Sequence, residues 1–181
     1  MAFADLFGRP VGPVGHHPRP AEALLQRDGD VVDIDGTSTI ALLAPAGSYQ
    51  VAVRHRNHMG CMTASPATLS TSLLSGIDLT SAATPVYGTS ARKDVSGVQV
   101  LWAGNALRDN KLLYTGVSND RDPILVLVGS AAPNNTTSGY RLEDVNLDGV
   151  VKYTGPANDR DPILQNIGGS TPNNTRTEQL P

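Results

Sequence analysis

The chain has 181 residues, 39% of them apolar and 17% charged, with a formal net charge of −3 and a single cysteine, Cys61. That length allows one domain or two small ones, and no apolar run approaches the roughly 18 residues of a spanning helix, so membrane insertion is not expected. The weakly acidic balance, with Arg54-His55-Arg56-Asn57-His58 as the densest basic stretch, does not fit a nucleic-acid binder, and one cysteine excludes a disulfide framework or a Cys-rich zinc site.

Residues 1–20 mix Pro and Gly too freely for a regular element and are expected to form a flexible lead-in. They lack the basic start and apolar core of a signal peptide. An exported protein with this N-terminus is therefore expected to be a fragment or to have a misassigned start.

Residues 21–97 read as a β-sandwich-like unit. Gly47–Arg56 alternates Tyr49, Val51 and Val53 with Gln50, Ala52 and Arg54, the two-residue period of a half-buried strand. Shorter strands are expected at Ala23–Gln26, Val31–Asp33, Thr39–Leu43, Cys61–Ala64 and Ile77–Thr80, with turns at Arg27–Asp30, Asp35-Gly36, Pro45–Gly47 and Asn57–Gly60. Residues 80–97, rich in Ser, Thr and Gly, read as an irregular connector. His55 and His58 have no carboxylate near in sequence and are expected to be surface or turn residues. Cys61, in an apolar-leaning strand, is expected in the core.

Residues 98–181 contain a duplication. Tyr114–Leu125 matches Tyr153–Leu164 at 10 of 12 positions with an offset of 39, and each copy runs on into Pro-Asn-Asn-Thr at 133–136 and 172–175. Such identity marks a repeated supersecondary unit. Because Asn-Asn-Thr closes both copies, the N-x-T triplets at Asn134, Asn135 and Asn173 read as turn or linker elements rather than glycosylation sites.

In the second copy, Asp144-Val-Asn146-Leu-Asp148-Gly149-Val150 has the D-x-N-x-D-G order of an EF-hand-type loop. Calcium takes six to eight oxygens, so alternate side chains of a tight loop can ligate it. Gly149 permits the sharp turn, Val150 offers its carbonyl, and Val151 turns into the core. The usual twelfth-position carboxylate is replaced by Gly155. A loop enlarged by about four residues would instead be closed by Asp159, with Asp161 nearby. Asp161-Pro162 also reads as a helix start, Asp as N-cap and Pro first, with Gly168 as the stop. Helices are expected over about Pro123–Val128 and Pro162–Ile167, with Ile124, Leu125, Ile163 and Leu164 buried. Carboxylates gathered this way repel one another without a cation, so binding should couple to folding.

The first copy is degenerate. Asn105, Asp109, the Lys111 carbonyl, Asp120 and Asp122 occupy ligand positions, but Leu107 stands third and Asn110 replaces the glycine, a residue that can still adopt the left-handed conformation. Weaker binding, or a site completed by water, is expected there. Trp102 lies where the second copy has Arg141, so it reads as a core anchor. No nucleophile–base pair, phosphate loop or metalloprotease helix is recognisable, and no catalytic residue is expected.

Asp144–Gly149 followed by Asp-Arg-Asp at 159–161 resembles the loop-helix unit of dockerin-like calcium modules, although the 39-residue spacing is longer than theirs. Leu25–Asp30, Val51–Met59, Leu101–Asn105 and Arg176–Pro181 look like the C-terminal regions of large secreted Bacteroidetes-type proteins described as haemagglutinin-like or adhesin-like. Together these resemblances imply a mainly β fold with two EF-hand-like loop-helix repeats, Ca2+ as ligand, and an extracellular or cell-surface setting. They imply a non-enzymatic structural or adhesive role, with another protein or a surface glycan as partner. A dockerin-like docking domain and an accessory domain of a secreted hydrolase are the alternatives.

Overall fold

The computed structural model describes residues 2–10, 21–26, 28–42, 44–70 and 76–180. The chain divides into two compact units, Met1–Arg56 with Gly60–Leu101 and Gln179–Pro181, and Asn57–Met59 with Trp102–Glu178. The architecture is mainly β, small antiparallel sheets with two short helices among the described residues.

In the first unit, β1 (Ala2–Pro10), β2 (Ala21–Leu25), β3 (Val31–Val32), β4 (Gly47–His55), β5 (Cys61–Met62) and β6 (Ala67–Leu69) form one antiparallel sheet. Its order is β3-β2-β1-β4-β5, with β6 also paired to β4. The alternation along β4 buries Val51 and Val53 in a core with Ala23, packed by Leu25, Val31, Ala67 and Leu69. The Tyr49 hydroxyl, at a buried residue, donates to the Pro45 carbonyl at 2.8 Å. Cys61 is fully buried.

The flexible lead-in does not hold for Ala2–Pro10, which lies between β2 and β4 with Leu6 opposite both Ala21 and Val53. Within that strand the only proline, Pro10, lies beyond the Ala2–Leu6 stretch that pairs with β2, so that end of the strand is paired on one side only, as an edge position where proline is tolerated; residues 11–20 lie outside the described set. Thr39–Leu42 and Ile77–Thr80 form no strands, and Leu43 is not described. Their apolar residues Ile40, Leu42, Ile77 and Leu79 pack on the core from irregular backbone.

The supposed connector contains a hairpin, β7 (Arg92–Val95) and β8 (Val98–Leu101). Val95 pairs with Val98, leaving Ser96 and Gly97 as a two-residue turn with φ of 55° and 89°, the pair of positive φ values that favoured hairpin turns require. The second unit takes up the chain again at Trp102, directly after this hairpin. The Arg92 guanidinium donates to the carbonyls of Leu79, Ser81 and Thr84 at 2.6, 3.1 and 2.7 Å, fixing the loop before it. Finally, His55 is buried rather than a surface residue, while His58 is half-buried with Nδ1 2.8 Å from Asn57 Oδ1.

The second unit contains β9 (Lys111–Leu113), α1 (Arg121–Val128), β10 (Thr136–Ser138), β11 (Val150–Lys152), α2 (Arg160–Asn166) and β12 (Thr175–Thr177). The two repeats exchange strands. β10, at the end of the first, pairs with β11 of the second, and β12, at the end of the second, pairs with β9 of the first. Thr136 lies opposite Lys152 and Thr175 opposite Leu113, so both pairings keep the sequence offset of 39. The Thr154 hydroxyl donates to the Pro133 carbonyl and Asn134 Oδ1 at 3.2 and 2.7 Å. Thr115 does the same to Pro172 and Asn173 at 3.0 and 2.8 Å. The Pro-Asn-Asn-Thr segments are thus clasps between repeats.

The core is duplicated too. Ala106, Leu112, Ile124 and Val128 join Val145, Val151, Ile163 and Ile167, each at the same offset, with Met59 and half-buried Trp102 completing the cluster. Leu125 and Leu164, expected to be buried, are only half-buried.

Candidate metal centre

The backbone of the Asp144–Val150 loop is curled by its own side chains. Asp144 Oδ2 accepts the Gly149 N–H at 3.2 Å, Asn146 Oδ1 accepts the Asp148 N–H at 2.9 Å, and Asp148 Oδ1 accepts the Val150 N–H at 2.9 Å. Leu147 and Gly149 take positive φ, 63° and 86°. Asn146 Nδ2 donates to the Ala157 carbonyl at 2.8 Å, tying the start of the loop to its far side. Asp144 and Val151 are buried, whereas Asp148 stands exposed.

Asp159 is placed differently from the other carboxylates. It is fully buried, and its Oδ1 accepts the N–H groups of Val145 and Asn146 at 2.7 and 3.1 Å while Oδ2 accepts that of Lys152 at 2.8 Å. A carboxylate offers about four lone-pair positions, so one remains for anything else. Burial pushes its pKa up, opposed by those three N–H bonds, and the Asp144 carboxylate pushes in the same direction as burial. Asp159 is therefore first a staple that satisfies backbone donors at both ends of the loop.

Asp120 repeats this arrangement. Its Oδ1 accepts the Leu107 N–H at 3.1 Å and its Oδ2 the Leu113 N–H at 2.8 Å. Burial, with a smaller push from Asp109, raises its pKa to about 6 against the N–H bonds from Leu113, Leu107 and Ala106. The rest of the first loop closes on itself. Asn105 Oδ1 accepts the Asp109 N–H at 3.0 Å, its Nδ2 donates to the Asp109 carbonyl at 2.5 Å, and Asp109 Oδ1 accepts the Lys111 N–H at 2.7 Å. The left-handed residue is Arg108, φ 54°, the counterpart of Leu147, and Asn110, although able to take that conformation, does not use it.

Asp161 and Asp122 are drawn into the helix starts. Asn158 Oδ1 accepts the Asp161 N–H at 3.0 Å, and its Nδ2 donates to Asp161 Oδ2 at 2.8 Å. Asn119 makes the same pair of bonds with Asp122 at 3.1 and 2.8 Å. The expected cap, Asp161 with Pro162 first, is thus corrected. Each helix begins two residues earlier, at Arg160 and Arg121; the N-cap residues Asp159 and Asp120 make no side-chain cap bond, and the asparagine one residue before each takes the second helical N–H instead. Proline is tolerated at the third position because the first four N–H groups of a helix have no partner within it. The intervening arginines stack on aromatic rings, Arg121 on Tyr114 and Arg160 on Tyr153, at 4.9 and 5.1 Å from the centroids. The sequence reading missed these asparagines and arginines, although their recurrence at the 39-residue offset was a signal for them. Arg176 lies 3.4 Å from the centroid of Trp102 and donates to the Asn166 carbonyl at 3.0 Å.

Neither a family model, nor a curated protein, nor a solved structure matches this chain.

Among the described residues, no three His, Cys, Asp or Glu side chains are gathered so that they alone could hold a metal ion. A cation in the second loop would draw on two carboxylates, Asp144 and Asp148, the Asn146 amide oxygen, the Val150 carbonyl and water. All of these are hard oxygen donors suited to calcium. The first loop offers a poorer set, since Leu107 carries no donor and the Asn105 amide is already engaged at both ends with Asp109.

Proposed function

We propose that the second unit is a non-enzymatic calcium-binding module in which the Asp144–Val150 loop holds one Ca2+ and rigidifies a secreted or cell-surface protein, in a structural or adhesive role. The observation that carries this reading is the run of side-chain-to-backbone bonds from Asp144, Asn146 and Asp148, with left-handed residues at Leu147 and Gly149. A loop curled in this way is the kind that lets an alternating set of oxygen donors face one cation. The buried Asp159 carboxylate, whose charge is disfavoured by the neighbouring Asp144, gains a counter-charge from the ion. With only two ligating carboxylates, affinity falls in the weak range of extracellular modules, on the order of 10⁻⁴–10⁻³ M.

Calcium titration by calorimetry, combined with thermal melts in calcium and in chelator, tests this on the full chain and on Asp148→Ala. One site and a rise in melting temperature, both lost in the variant, are expected. Absence of heat and of any melting shift would leave the loop as an Asx-rich structural turn.

A further inference from the structure

The duplication makes each exposed residue of one repeat comparable with its counterpart 39 residues away, and at one place the two repeats differ in kind. Leu107, third in the first loop, is 39% exposed, and Val126, on α1, is 68% exposed. Their counterparts are Asn146 and Gln165. Leu107 and Val126 line one open groove of about 390 Å3, together with Pro123 and Leu127 and with two carboxylate-bearing residues, Asp122 and Glu143.

Single exposed apolar residues are ordinary on any surface. These two share a concave site, and the second repeat builds the same helix and the same buried Ile–Val/Ile core with amides in their places. The fold therefore does not require them to be apolar. Nor does the calcium chemistry, since Leu107 replaces a ligand. An apolar cleft edged by two acidic side chains is complementary to an apolar side chain with a cation beside it.

We infer that this groove docks a segment of a partner protein that presents an aliphatic side chain next to a lysine or arginine. The aliphatic group lies between Leu107 and Val126, and the cation faces Asp122 or Glu143 and sets the direction of the segment. The contact area is small, so binding is weak and transient. The inference stands independently of calcium in the second loop.

The probe is the synthetic peptide acetyl-Lys-Leu-Lys-Leu-Lys-amide, titrated into the 15N-labelled full chain in calcium-containing buffer and followed by backbone amide shifts. Two control peptides carry Glu for Lys or Ser for Leu. The shifts are expected to map to Leu107, Asp122, Val126 and Glu143, to be absent with both controls, and to need about tenfold more peptide or worse in Leu107→Asn/Val126→Gln. That variant carries residues the sister repeat already accommodates, and its thermal melt checks that it folds. Shifts confined to Asp144 and Asp148, or an unchanged response in the variant, would reduce the effect to charge attraction and overturn the inference. Sedimentation of the protein alone gives a second arm: a wild-type dimer that the variant lacks would mean that a second copy, not a foreign segment, occupies the groove.

Discussion

The Asp159 carboxylate and the Val145 amide are 2.7 Å apart, and this bond fastens the end of the second loop to its beginning across fourteen residues. The same oxygen also takes the Asn146 N–H, and the other takes that of Lys152. Replacing the carboxylate with an amide puts an NH2 group where an acceptor is needed and removes the charge from the remaining bonds. Asp159→Asn should therefore destabilise the protein by about 2–3 kcal/mol even in chelator. Asp148→Ala, at an exposed position, should cost far less there and should act only on the calcium-dependent part. Urea unfolding with and without chelator separates the two. Equal stability of Asp159→Asn and wild type in chelator would mean that the side chain serves the ion alone.

The first loop gives the converse test. Its backbone already has a left-handed residue at Arg108 and the buried carboxylate of Asp120, so what it lacks is donors. Asn105→Asp with Leu107→Asn and Asn110→Gly rebuilds the donor order of the second loop. Calorimetry should then count two calcium ions in place of one. A count that stays at one would show that the Asn105–Asp109 bonds are not what keeps the ion out.

The duplicated loop-helix units were legible because identity at a fixed offset survives whatever the fold does with it, and the mainly β character followed from the alternation in Gly47–His55. The partners of those units were not legible. Nothing local in Thr136–Ser138 or Thr175–Thr177 says that each pairs with the other repeat, because β-pairing across the chain leaves no period in the sequence. The backbone partners of Asp159 and the Asn158 partner of Asp161 were not legible for a related reason. A carboxylate after a calcium-type loop has the same sequence signature whether it meets a metal or three backbone amides. The β7–β8 turn at Ser96-Gly97 was available from the residues, but the surrounding Ser, Thr and Gly obscured it.

Two glycines of the second unit should respond very differently to a methyl group. At Gly149, φ is 86° and an added Cβ would meet nothing within 4 Å. Gly149→Ala should cost only the backbone strain, about 1–2 kcal/mol, and should weaken calcium binding more than folding. At Gly104, φ is 122°, and a Cβ would lie 2.8 Å from Leu112 Cδ1, 3.1 Å from Ile163 Cγ1 and 3.3 Å from the Ile163 Cα. Those side chains are fully buried in the duplicated core and have little room to move. Gly104→Ala should cost about 3 kcal/mol or more, measurable as a fall in the urea midpoint. Similar losses at the two positions would contradict this packing.

Cys61 reports on the first unit alone. It is fully buried beside β4, and burial pushes its thiol up to about 11 from an ordinary 9.0, against a smaller pull from Arg92. The thiolate is the reactive form, so the folded protein should resist a maleimide at pH 7 and react only as fast as the unit opens. The same shift sets the sign of the pH dependence. Between about pH 9 and 11 the unfolded chain releases the proton while the folded chain keeps it. The contribution is therefore complete below pH 9 and is lost as pH rises through 11, a fall of roughly 2–3 kcal/mol. Cys61→Ala, which removes the titrating group, should flatten that part of the profile although it lowers stability at neutral pH by leaving a small void. Rapid labelling of the native protein at pH 7, or an unchanged alkaline slope in the variant, would place the thiol at the surface instead.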